Sequence, residues 1–190
     1  MTRRQLITLA TSLAAAALIL GGCGSSSTGG GEAAAPAPPD AEAASAASGD
    51  IPDNQVFLRF DNPEGGYSMQ YPEGWAQQGS GTDVTFADKN NVVRVAVSSG
   101  SLPDMSAVSS ELSGLNPHAG VATIGGEKAV KVTYTTESAP NAVTGKTVTL
   151  MVDRYYLAHG GKLAVVDLGT PQGVDNVDAY RLMIESFKWK

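Results

Sequence analysis

Ala129-Val130-Lys131-Val132-Thr133-Tyr134 decides the fold class. Val130, Val132 and Tyr134 alternate with Lys131 and Thr133 at a period of two, so one face of a strand is apolar and the other is wet. This strand is predicted over 128–137. Two more follow over 146–158 and 162–168, and the short loops between them imply an antiparallel meander. Beyond the meander, Val177, Tyr180, Ile184 and Phe187 recur at i, i+3, i+7 and i+10, with Met183 widening the stripe. That spacing predicts a terminal helix capped by Asp175, with Asp178 in its first turn, packing on the sheet.

Toward the N-terminus the pattern stays β-rich. Strands are predicted over 120–124, 92–98, 82–87, 67–71 and 56–60. Asp88-Lys89-Asn90-Asn91 joins two of them as a hairpin turn, because Asn and Asp tolerate positive φ. Met105, Val108, Leu112 and Leu115 form one face of a second helix that starts at Pro103-Asp104. An antiparallel sheet with segregated helices is an α+β sandwich. The domain is expected to span 51–190.

The first 50 residues read differently. Arg3 and Arg4 precede an uncharged apolar run from Leu6 to Leu20, and Leu20-Gly21-Gly22-Cys23 follows. A basic start, a short apolar core and a small-residue exit mark a secretory signal. The run falls short of the roughly 20 residues that cross a bilayer. Its exit resembles a bacterial lipobox, with cleavage between Gly22 and Cys23 and lipid, including palmitate, on Cys23. Thr2-Arg3-Arg4-Gln5-Leu6-Ile7 also resembles a twin-arginine export signal. These features imply a protein lipid-anchored to the extracytoplasmic side of the cell membrane.

Cys23 is the only cysteine, so the expected mature domain has neither disulfide nor thiol nucleophile. Removing residues 1–22 lowers the basic count from 13 to 11 against 19 acidic residues, a formal net charge of −8. Such a chain is repelled by nucleic acid and by anionic lipid surfaces. From Gly24 to Asp50 the 27 residues are Gly, Ser, Ala, Pro, Thr and acidic side chains. This composition cannot bury enough surface to offset ordering entropy. Residues 23–50 are therefore expected to act as a tether with an end-to-end distance on the order of 30 Å.

Recognisable catalytic motifs are missing. His118 and His159, the only histidines, have no HxxxH or HExxH spacing and read as loop residues. No Gly-x-Ser-x-Gly elbow occurs. Asp83, Asp88, Asp153 and Asp167 lie on or beside strands, where a carboxylate ordinarily guards a solvated edge. Arg154-Tyr155-Tyr156 is a less ordinary cluster. Neighbouring strand residues point to opposite faces, so only one of the two tyrosines is expected in the core. The other, with Arg154 or Arg94, is a candidate contact surface. Trp75 reads as a core anchor after the Pro72–Gly74 corner, with a ligand-stacking role as the alternative.

Gly66-Tyr67-Ser68-Met69-Gln70-Tyr71-Pro72-Glu73-Gly74-Trp75 is similar to the opening of the PsbP-like domain, in which a glycine-aromatic strand enters a Tyr-Pro-x-x-Trp corner. The stretches 81–88 and 92–98 resemble the next two strands of that family. Ile184-Glu185-Ser186-Phe187 resembles its closing helix. The resemblance implies an antiparallel sheet of about six strands with helices on both faces. A tethered acidic domain without a catalytic constellation is expected to be non-catalytic and to bind a protein partner or envelope component. The alternative, using acidic loops and Trp75, is a small-molecule, calcium or manganese module, and the resemblance adds to it an extrinsic photosystem II role in a photosynthetic organism. No metal ligand of the family maps onto His118 or His159.

The lipid anchor is directly testable. Cys23→Ser is expected to abolish palmitate labelling and to move the protein from the membrane pellet to the soluble fraction.

Overall fold

The computed structural model describes residues 49–141 and 143–190. Arg3, Arg4, Gly22 and Cys23, with most of the proposed tether, lie outside the described residues. Among those residues no helix is long and apolar enough to cross a membrane.

The chain runs through β1 (Phe57–Asn62), β2 (Tyr67–Pro72), β3 (Ala76–Ser80), β4 (Asp83–Asp88) and β5 (Asn91–Ser99). It continues through α1 (Met105–Glu111), a 3-10 turn (Ser113–Leu115), β6 (His118–Ile124), β7 (Glu127–Glu137), β8 (Thr149–His159) and β9 (Lys162–Pro171). α2 (Val177–Glu185) and β10 (Lys188–Trp189) complete the described fold. Seven strands form an antiparallel sheet in the order β3-β4-β5-β9-β8-β7-β6, and β1-β2-β10 form a second sheet. The α+β reading therefore holds, and the meander β7-β8-β9 lies inside the larger sheet.

The described strands number ten, against eight read from the sequence and a sheet of about six implied by the resemblance. β3 was missed because Ala-Gln-Gln-Gly-Ser has no alternation, and all five of its residues are exposed on an edge. β10 is two residues long, below any sequence period. β8 begins at Thr149 rather than 146, and just ahead of it Ser138 N–H bonds Val148 O and Asn141 N–H bonds Lys146 O. His118 opens β6 instead of lying in a loop. α1 ends at Glu111, and its predicted last turn tightens into the 3-10 turn ahead of Asn116 at φ 51°. In the 88–91 turn, positive φ falls on Lys89 (54°).

Both faces of the large sheet are packed. On one face Val84, Phe86, Val93, Val95, Tyr155, Leu157 and Val166 meet β2 and α2 through Tyr67, Met69, Tyr180, Met183, Ile184 and Phe187. Phe86 sits between Tyr71, stacked at 4.3 Å, and Phe60, edge-on at 5.1 Å. Trp75 joins this core with 9% of its surface exposed, which makes it an anchor and removes it from any contact surface. On the other face Val130, Val132, Tyr134, Val152 and Tyr156 pack with Val108 and Leu112.

This two-sided packing corrects the expectation for the tyrosine pair. Tyr155 and Tyr156 do point to opposite faces, yet both are buried, one in each core. A sheet covered on both sides buries odd and even positions alike.

Two buried amides fix the entry of the chain. Asn91 and Asn176 are 2% and 3% exposed. Asn176 accepts Ile51 N–H at 2.8 Å through Oδ1 and donates through Nδ2 to Thr170 Oγ1 at 2.8 Å and Asn91 Oδ1 at 3.0 Å. Asn91 Nδ2 donates to the carbonyl of Gly49. Gly49, assigned to the tether on sequence, is thus buried in the fold. Buried amides keep partners because an orphaned one retains its full desolvation cost. Asn176→Ala is expected to destabilise the domain by about 2–3 kcal/mol in urea unfolding, with faster proteolysis between residues 49 and 56.

Candidate binding site

β7, β8 and β9 present one face to the N-terminal half of α2. The contact does not close at the outer end. An apolar socket of about 270 Å³ remains between helix and sheet. Tyr155, Leu168, Tyr180 and Val174 line it, and Met151 and Val177 stand at its lip. Val177 is 72% exposed and Met151 44%, large apolar side chains left in water beside an apolar hollow.

Polarity enters the socket at one place. Lys131 Nζ lies 2.8 Å from Asp153 Oδ2, and Thr133 donates to Asp153 Oδ1 at 2.7 Å. The Lys131 ammonium also sits 5.4 Å from the centroid of the Tyr155 ring, within cation–π range. Burial alone lowers its pKa, but the Asp153 hydrogen bond and charge outweigh burial and raise it. Burial raises the Tyr155 hydroxyl as well, with Lys131 opposing. An apolar hollow with one fixed, satisfied ion pair gives orientation without an unpaired buried charge. Tyr180 secures the far wall by donating to Gly169 O at 2.6 Å.

The other sequence candidates lie on the opposite face. Arg94 and Asp167 are register partners across β5 and β9, as are Arg154 and Asp167 across β8 and β9. Arg154 grips Asp167 through both oxygens, at 2.6 and 2.9 Å. Arg94 grips Asp83 in the same bidentate way, with its Nε bond at 2.9 Å. Arg154 also lies 5.4 Å over the Tyr134 ring. The sheet thus places Arg94 and Arg154 on one face, each paired with a carboxylate, while Trp75 and Tyr155 belong to the other side. Asp153 and Asp167 are not solvated edge guards, because both lie inside central strands and are paired. Asp88 ends β4 at the hairpin.

His118 and His159 do not meet. His159 Nδ1 is 2.9 Å from Glu127 Oε1, and its ring stacks 6.5 Å from Trp189. Among the described residues no group of three or more His, Cys, Asp or Glu is placed to hold a metal ion.

Lys131, Met151, Asp153 and Val177 were not singled out as a site on sequence. Lys131 belonged to the wet alternation of β7 and Val177 to the helix stripe. The pairing of β7 with β8 brings Lys131, Met151 and Asp153 together, and the packing of α2 on the sheet adds Val177.

No family model matches this chain. No curated protein matches it either. Among solved structures it is similar to cyanobacterial PsbP from Synechocystis, with a TM-score of 0.48 and 18% identity over 74% of this chain and 98% of that one. It is also similar to a protein of Bacteroides thetaiotaomicron, with a TM-score of 0.48 and 16% identity over 70% of this chain. There the match spans 48% of the other chain, about half its length. The Saccharomyces cerevisiae Ran-binding protein Mog1p gives a TM-score of 0.43 and 13% identity over 72% of this chain and 96% of that one.

The buried phenol of Tyr134 gives the domain an alkaline limit. Burial first, then the charge of Asp167, raises its pKa from 10.0 to about 12. A pKa raised by folding contributes stability that is complete below the unfolded value and lost as pH climbs through the folded one. The urea midpoint is therefore expected to fall between pH 10 and 12. Tyr134→Phe should reduce that fall without abolishing it, because burial also raises Tyr67, Tyr155 and Tyr180, with phenolate absorbance confirming the titration.

Proposed function

We propose that this chain is a non-catalytic, lipid-anchored extracytoplasmic protein whose folded domain binds a protein partner or envelope component in the socket beside α2. The observation that carries the reading is the apolar hollow whose lip, Val177 and Met151, is held open to water. Exposed apolar side chains around a concavity are a solubility liability unless a partner covers them, and an anchor seated in such a hollow supplies a large share of binding energy.

The charged groups support binding rather than chemistry. Arg154 with Asp167 and Lys131 with Asp153 form closed pairs. A general acid, base or nucleophile instead has to reach substrate. The lipobox-like exit at Gly22-Cys23 and the polar stretch to Asp50 support the membrane placement. A tether on the order of 30 Å keeps the domain within reach of one membrane face and raises the effective concentration of any partner there.

A small-molecule reading is the second choice, favoured by the enclosed, mostly apolar lining with one polar pair. Its calcium or manganese form, including a photosystem II-associated role, is tested by titrating either ion against the melting temperature of the protein. A shift of several degrees at millimolar metal supports it.

The partner reading is tested by placing a photo-crosslinking residue at Val177, and separately at Arg94 on the opposite face, in the full-length membrane-bound protein. The Val177 position is expected to give the stronger adduct. Met151→Gln beside it should reduce that yield several-fold. Equal yields from both faces, or indifference to Met151→Gln, would overturn the docking site.

A further inference from the structure

α2 has a second flank. Opposite the socket it borders a broader groove of about 760 Å³, lined by Asp50, Asp53, Asp175, Asp178 and Glu185. Among the described residues Arg181 is the one basic residue in that lining, and its guanidinium is already committed to Asp178 at 2.8 Å. The other four carboxylates make no salt bridge among the described residues. The Asp50 pKa is raised by burial first and then by the charges of Asp175 and Asp53, with the Ile51 backbone N–H opposing. The carboxylates are spread over an open trough and are not convergent enough to enclose one ion. A distributed cation suits them better than a point charge.

Socket and groove are not independent depressions. Asn176 and Arg181 line both, so the two meet across the first turns of α2. The spacing between them is about one helix diameter, on the order of 10 Å. An extended peptide covers that in roughly three residues.

We infer that the partner presents a cationic peptide segment: one aromatic or branched apolar side chain fills the socket, and lysine or arginine residues about three positions away lie along the acidic groove. This rests on the reading of the socket as the partner's docking site and adds the chemistry of what docks. The socket, at about 270 Å³, is large enough to take an aromatic or branched apolar side chain. The groove supplies charge complementarity, which speeds encounter and rejects acidic competitors.

The test uses the full-length lipidated protein in neutral detergent micelles and three fluorescein-labelled peptides followed by anisotropy. The first is Trp-Ser-Gly-Lys-Lys-Lys, the second replaces its lysines with glutamates, and the third replaces its tryptophan with alanine. The first is expected to bind at least tenfold more tightly than either of the others. Its affinity should fall several-fold between 50 and 300 mM salt. Asp53→Asn with Asp175→Asn should remove most of that salt dependence, while Met151→Gln with Val177→Asn should weaken binding about tenfold at every salt concentration. Circular dichroism and melting temperature establish that each variant is folded. Equal affinity for the lysine and glutamate peptides, both weakened by the socket variant, would overturn the cationic inference and leave the docking site standing. Binding of the lysine peptide that ignored the socket variant would overturn both.

Discussion

Two apolar cores share the strands β7, β8 and β9 as their common wall, and this sharing places everything else in the domain. A strand covered on both faces has no solvent side on which to keep polar residues. Any polar side chain in the wall has to bring its own partner or pay full desolvation. Lys131 with Asp153 and Thr133 meets that condition on one face, and Arg154 with Asp167 meets it on the other. The charged pairs are thus consequences of the double covering. They also hold register, because a one-residue slip would carry every one of them to the wrong face.

The two coverings are unequal. On the α1 side the helix reaches mainly β6 and the 3-10 turn packs near β7, and the bidentate pairs of Arg94 and Arg154 occupy the sheet beyond. On the other side β1, β2, β10 and α2 press on the sheet together, and the aromatic rings from Phe60 to Phe187 fill most of the space between. The filling stops short beside Val177. The socket is the residue of that mismatch, a place where a helix tied down by Tyr180 and Asn176 stands off a sheet that continues beneath it.

The central strands were legible because their apolar residues alternate over many positions, and α2 because its stripe repeats over three turns. β3 and β10 carried no such signal, since an exposed polar edge and a two-residue pair are set by their neighbours. The bidentate ladder was half legible. Arg94 and Arg154 stood out as alternative members of a contact surface, but Asp167 between them depends on register across three strands. The socket was invisible for a stronger reason. It joins residues from β7, β8, β9 and α2 that are far apart in sequence, and each alone looked like ordinary alternation or ordinary stripe. Tyr155 and Tyr156 show the same limit, because periodicity tells which way a side chain points and not whether something waits there.

The asparagine clamp has a mechanical consequence. Tension applied to the chain ahead of Gly49 enters the fold through the Gly49 carbonyl and the Ile51 amide, and so arrives at Asn91 and Asn176. Asn176 is also the residue from which α2 departs and one that borders both depressions. Force entering at Gly49 therefore reaches the first turn of α2, the helix that borders both depressions.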